Sequence, residues 1–156
     1  MQENEGRTDG HTISTTVTVA APPERVWEVL TAFDRYGTWH PSLEILRGEP
    51  RAGAALAMRI AAGTPQERSA EGTVVAAEAP RLLAWEGGMP GLLWGRHSFE
   101  LVPDGAGTRV VNSETFSGSM AADVLAANGG LLEEEFRAAD AALRSAAEGG
   151  SAAGRG

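Results

Sequence analysis

A chain of 156 residues with 42% hydrophobic and 22% charged residues has the balance of one globular domain, and a chain of this size buries roughly 70% of its unfolded surface. The net charge is −8, and its thirteen basic residues are all Arg, scattered from Arg7 to Arg155. Such a chain offers no basic footprint for nucleic acid and is repelled by anionic membranes. The absence of Cys excludes disulfides, thiolate nucleophiles and Cys-based zinc or iron–sulfur sites. Residues 1–10 carry no apolar signal-type run, and no stretch reaches the ~20 apolar residues that span a bilayer, so the expectation is a cytoplasmic protein without membrane insertion.

Residues 1–10 and 149–156 are polar or small and are expected to be disordered tails around a domain at 11–148. Residues 12–19 alternate Ile13, Thr15, Val17 and Val19 with Thr12, Ser14, Thr16 and Thr18, the period of a strand with one buried face. Pro22 and Pro23 predict a helix start, and Glu24 suits its positive end. Val26, Val29, Leu30 and Phe33 follow at helical spacing. The stretch 34–41 mixes turn formers with aromatics and predicts a short helix or loop ending at Pro41.

Five further strands are predicted at 42–47, 54–61, 66–78, 81–86 and 93–102, with glycine- and proline-bearing breaks between them, and another at 108–117 after the turn 103–107. Arg59 alternates out of phase with Leu56, Met58 and Ile60 and is expected to face solvent. From Met120 to Glu148, Leu125, Leu132, Phe136, Ala139 and Leu143 form one helical stripe. Pairs of Glu133 with Arg137 and of Asp140 with Arg144 are assigned to the opposite, solvated face. Asn128-Gly129-Gly130 predicts a kink or break, because each Gly costs about 1 kcal/mol in a helix interior. The order is that of an α+β domain in which a seven-stranded curved antiparallel sheet wraps a long C-terminal helix, with two short helices between the first two strands. A bent sheet around one helix leaves room for a ligand between them.

The run TVTVAAPPERVWEVLTAFDRYGTWHPSLEILRG (16–48), the segment PRLLAWEGG (80–88) and the hairpin HSFELVPDGAGTRVVNSETFSG (97–118) resemble the START/polyketide cyclase superfamily, also called SRPBCC, with the helix-grip fold of the major pollen allergens. The resemblance covers about residues 12–145 and speaks to fold more than to activity. The superfamily includes aromatase/cyclases, lipid carriers, coenzyme Q-binding proteins and chaperone activators, so function must be argued from the site.

If the last hairpin turns at Gly105 and Ala106, Leu101 pairs with Val110, Phe99 with Asn112 and His97 with Glu114, all on one face. His97 and Glu114 are then a candidate catalytic pair, the carboxylate setting the imidazole tautomer and raising its pKa, for enolisation, aldol cyclisation or dehydration. The alternative is structural: a cross-strand pair in which two half-buried polar groups satisfy each other. Candidate ligand contacts are Trp39, His40, Met58, Trp85, Met89, Trp94, Phe99, Asn112, Phe116, Leu132 and Phe136. Trp39 matches an aromatic position usual in the superfamily, and packing is the favoured role for it. Trp27 is expected beneath the C-terminal helix. Three widely spaced His suggest no metal site, and no motif implies a cofactor. The expected function is to bind a hydrophobic polyketide-, lipid- or quinone-like molecule, as a monomer or homodimer. Catalysis of cyclisation or dehydration stands as one version of it, with a non-catalytic carrier or sensor and a chaperone-activator-like module as alternatives.

Overall fold

The computed structural model describes residues 7–9 and 11–153 of the chain, with side chains from His11 to Gly149. In chain order, β1 (Arg7–Asp9) and β2 (Thr12–Val19) precede helix α1 (Pro23–Thr31), a 3-10 turn at Phe33–Arg35 and the one-turn helix α2 (Tyr36–Trp39). Strands β3 (Leu43–Arg47), β4 (Ala55–Ile60), β5 (Arg68–Glu78), β6 (Leu82–Met89), β7 (Leu93–Asp104) and β8 (Gly107–Ser117) follow, and α3 (Ala121–Ala153) ends the fold.

All strands pair antiparallel in the order β1-β2-β8-β7-β6-β5-β4-β3, so the first long strand closes beside the last. The seven predicted strands are all present, with the three-residue β1 added at one edge. Of the two predicted tails, Arg7–Asp9 pair with β2 and 149–153 continue α3; residues 1–6, 10 and 154–156 lie outside the described residues.

Pro22 caps α1 with extended backbone and Pro23 occupies its first turn, where the missing N–H costs nothing. Val26 and Leu30 are buried on one face, and Trp27 packs against the same core. Helix α1 is tied to α3 by Arg25, whose guanidinium donates to the Ala146 and Ala147 carbonyls. The main core joins these residues to Phe33, Tyr36, Leu56, Val74, Leu83, Leu101, Val110 and Leu143. Arg59 stands outside it, paired with Glu44 at 2.6 Å and Glu67 at 3.3 Å.

Two local expectations are corrected. The sequence predicts a break at 87–91, yet β6 runs through Gly87 and Gly88 to Met89, because Gly72, Gly87 and Gly95 lie side by side on three neighbouring strands. A Cβ on Gly87 would stand 2.5 Å from the Glu71 carbonyl oxygen, so these glycines permit close strand approach and do not end the ladder. Likewise α3 is unbroken through Asn128-Gly129-Gly130. The Asn128 side-chain amide donates to the Val124 carbonyl at 3.2 Å, and both glycines face open space. The propensity penalty is real but small against a helix that docks at both ends. No described helix is long and apolar enough to cross a membrane.

Candidate functional site

The β7–β8 hairpin turns at Gly105-Ala106 in the predicted register, with His97 opposite Glu114 and Phe99 opposite Asn112. The same row continues to Trp85 on β6 and Ile13 on β2, which places an imidazole and a carboxylate in the middle of the sheet's inner face. His97 is boxed by three aromatic rings: Trp85 stacks on it at 5.5 Å and 26°, Phe99 lies at 4.9 Å and Phe136 of α3 at 5.1 Å.

Its two nitrogens have different partners. Nε2 lies 2.7 Å from Asn112 Oδ1, and Nδ1 lies 3.5 Å from Glu114 Oε1. Asn112 is itself buried, and its Nδ2 donates to Asp140 Oδ1 at 2.9 Å. Asp140 takes a second bond, 2.6 Å, from the Thr15 hydroxyl on β2. An amide that donates to a carboxylate turns its oxygen the other way, so Asn112 Oδ1 accepts from a protonated Nε2. The chain Thr15–Asp140–Asn112–His97 thereby sets the tautomer and leaves Nδ1 as the nitrogen that can exchange a proton. At 3.5 Å the Glu114 carboxylate is beyond a good hydrogen bond but close enough to stabilise charge on the ring. Gly95 makes room for it: a Cβ there would come within 2.6 Å of Glu114 Oε2. The side chains of His97 and Glu114 keep 18% and 24% of their exposure, so neither is sealed off.

Asp140 is the residue of this cluster whose place the charge pattern does not predict. Assigned to the solvated face with Arg144, it is only 4% exposed and points at the sheet. Desolvation raises its carboxyl above the ordinary value, while the bonds from Thr15 and Asn112 and the nearby His97 and Arg137 pull the other way. The signal was present in the spacing, since Asp140 lies four residues after Phe136 and three before Leu143 on the buried stripe. The companion pair forms as expected, with Arg137 2.7 Å from Glu133.

The remaining candidates divide by place. Met58, Trp85 and Phe99 are buried in the main core, with Trp39 packed against it. Phe136 belongs with Ile13 and Leu125 to a satellite cluster, against which Phe116 and Leu132 pack. Trp94 alternates onto the face opposite His97, and Met89 is 55% exposed at the β6–β7 turn. His40 caps the turn after α2, its Nδ1 accepting from the Ser42 and Leu43 amides at 3.1 Å each. Burial, with His97 nearby, lowers its pKa to about 4, so the ring is neutral at physiological pH.

Two hollows flank α3. One of about 190 Å³ lies between α3 and β2, where Thr16, Arg137 and Arg144 surround the outer side of Asp140. The other, about 430 Å³, is bordered by His11, Leu125, Gly129, Gly130 and Glu133. It shares Leu125 with the satellite cluster, and that cluster shares Phe136 with the His97 box.

Comparison with known proteins agrees with this architecture. The chain superposes on a Nitrosomonas europaea protein with a TM-score of 0.74 at 16% identity, covering 92% of this chain and 99% of that one. For the Zhui aromatase/cyclase from Streptomyces sp. R1128 the values are 0.68 and 21%, covering 88% and 93%. For Ara h 8.0201 they are 0.62 and 14%, covering 86% and 98%. At these identities the likeness establishes the helix-grip fold. No curated protein matches the sequence. The family model described as polyketide cyclase / dehydrase and lipid transport matches residues 10–148, nearly the whole described chain. The chain therefore belongs to that family, within the SRPBCC superfamily whose fold its sheet and helix reproduce.

Proposed function

We propose that this protein binds a hydrophobic, oxygen-bearing small molecule of polyketide type between α3 and the sheet, and promotes its cyclisation or dehydration by proton transfer at His97. The observation that carries this reading is the arrangement of His97: three aromatic rings around an imidazole whose Nε2 is tied through Asn112 to Asp140 while Nδ1 faces Glu114. One nitrogen is held by a buried hydrogen-bond chain, while the other has a carboxylate at 3.5 Å without a hydrogen bond, and the side chain keeps 18% of its exposure. Nδ1 takes a proton from the carbon beside a ligand carbonyl, Glu114 stabilises the imidazolium, and the same proton returns to a leaving hydroxyl. Entry is from the larger hollow, past Leu125 and Phe136, where the satellite cluster has only three buried members and yields at small cost. The similarity in fold to an aromatase/cyclase supports the reaction class. The acidic surface and the lack of a spanning helix fit a cytoplasmic protein acting on a diffusible ligand.

The test is a His97→Gln variant assayed on a poly-β-ketone analogue. A loss of about 10²–10⁴-fold in kcat with an unchanged circular dichroism spectrum is the expected result. Absence of turnover by the unmodified protein, together with native mass spectrometry showing a retained lipid or quinone after purification from producing cells, would instead make it a carrier.

A further inference from the structure

Among the described residues only two buried side-chain polar atoms lack a hydrogen-bond partner, Thr16 Oγ1 and Trp39 Nε1. The second is the more telling, because its surroundings otherwise satisfy their polar groups. The adjacent Tyr36 hydroxyl, fully buried, donates to the Leu30 carbonyl at 2.7 Å. Leaving an indole N–H buried and unpaired forfeits its hydration with nothing in return, which folded proteins seldom tolerate without a functional reason.

The neighbouring His40 presents a second donor. Its Nδ1 is occupied as an acceptor of two backbone N–H groups, so the proton of the neutral ring sits on Nε2. No acceptor for Nε2 is found among the described residues. The Trp39 and His40 rings are 5.3 Å apart, and Tyr36 holds both, packing on Trp39 at 4.9 Å and lying nearly parallel to His40 at 5.9 Å. From Tyr36 a continuous run of aromatic contacts leads to the acid–base group, through Phe33 at 5.9 Å and Trp85 at 6.2 Å to His97 at 5.5 Å.

We propose that Trp39 Nε1–H and His40 Nε2–H form a donor pair for a carbonyl oxygen of the bound ligand. The inference rests on the ligand-binding reading above and adds to it the recognition of an oxygen atom. When His97 Nδ1 removes the proton from the carbon beside that carbonyl, the C–H electron pair becomes the new C=C bond and the oxygen takes the negative charge. Two fixed N–H donors stabilise that oxygen more than they stabilise the neutral ketone. A neutral imidazole suits the role, because it donates a hydrogen bond without surrendering its proton.

Two probes of one shape separate oxygen recognition from simple burial: 2-acetylnaphthalene and 2-isopropylnaphthalene, titrated by ¹H–¹⁵N NMR. The protein has four Trp, and Trp39→Phe identifies the relevant indole peak. The ketone alone should move that peak downfield. Its Kd should weaken by about 2–10-fold in Trp39→Phe and in His40→Asn, which keeps an acceptor for the Ser42 and Leu43 amides, while the hydrocarbon binds all three proteins alike. Equal binding of both probes with an unmoved Trp39 peak would overturn the donor pair and leave ligand binding intact. Failure of both probes to bind up to their solubility would overturn the ligand-binding reading and the donor pair together.

Discussion

The two halves of α3 face the rest of the molecule in different company. The C-terminal half delivers Leu143 and Ala147 to a cluster of eighteen buried residues drawn from α1, the short helical turns and strands β2 to β8. The N-terminal half shares a satellite cluster of three, Ile13, Leu125 and Phe136. Between them Asp140 inserts a carboxylate that reaches His97 through Asn112. Since burial of apolar area is the main stabilising term, the helix holds the fold at one end and is cheap to displace at the other. One helix thus serves as both anchor and wall.

The largest effect expected from this asymmetry is at Leu143, which is fully buried in the main cluster. Leu143→Ala should cost about 2–5 kcal/mol, read as a lowered urea midpoint, and Leu125→Ala less than half as much. Equal losses at the two positions would break the comparison.

A smaller effect concerns the boundary itself. Desolvation raises the Asp140 pKa above its ordinary 3.8. An acid whose pKa is higher in the folded state stabilises most below its unfolded pKa and loses that contribution as pH rises through the folded value. Relative to Asp140→Asn, the parent protein should therefore lose stability as pH rises above the ordinary carboxylate range, with urea midpoints diverging in favour of the variant. A parallel response of the two proteins would mean that the carboxylate is solvated after all.

The smallest effect tests whether the N-terminal half owes its weakness to backbone or to packing. Gly129 lies in continuous helix with open space where a Cβ would stand. Gly129→Ala should raise stability by up to about 1 kcal/mol, seen as a higher Tm. A fall in Tm would show that the glycine is required by a conformation other than this helix.

Much of the architecture was legible because it is written in local patterns. The alternation of Ile13, Thr15, Val17 and Val19 identifies β2, Pro23 starts α1, and the turn at Gly105-Ala106 determines the whole β7–β8 register, which brought His97 opposite Glu114. Expectations failed where a local preference met a non-local contact. Gly87 and Gly88 read as a break until their neighbours across β5 and β7 were known, and Asp140 read as a surface residue until Thr15 and Asn112 were found beside it.

By itself, then, the sequence determined the kind and order of elements, the absence of thiol chemistry and the pairing of the last hairpin, since each depends on periodicity, composition or a turn a few residues long. Only the tertiary structure decided which partners hold the Asp140 carboxylate, which imidazole nitrogen is free and which indole N–H goes unpaired. Those properties arise between residues as far apart as Thr15 and Asp140, where burial and hydrogen bonding depend on packing across the whole domain and no spacing along the chain encodes them.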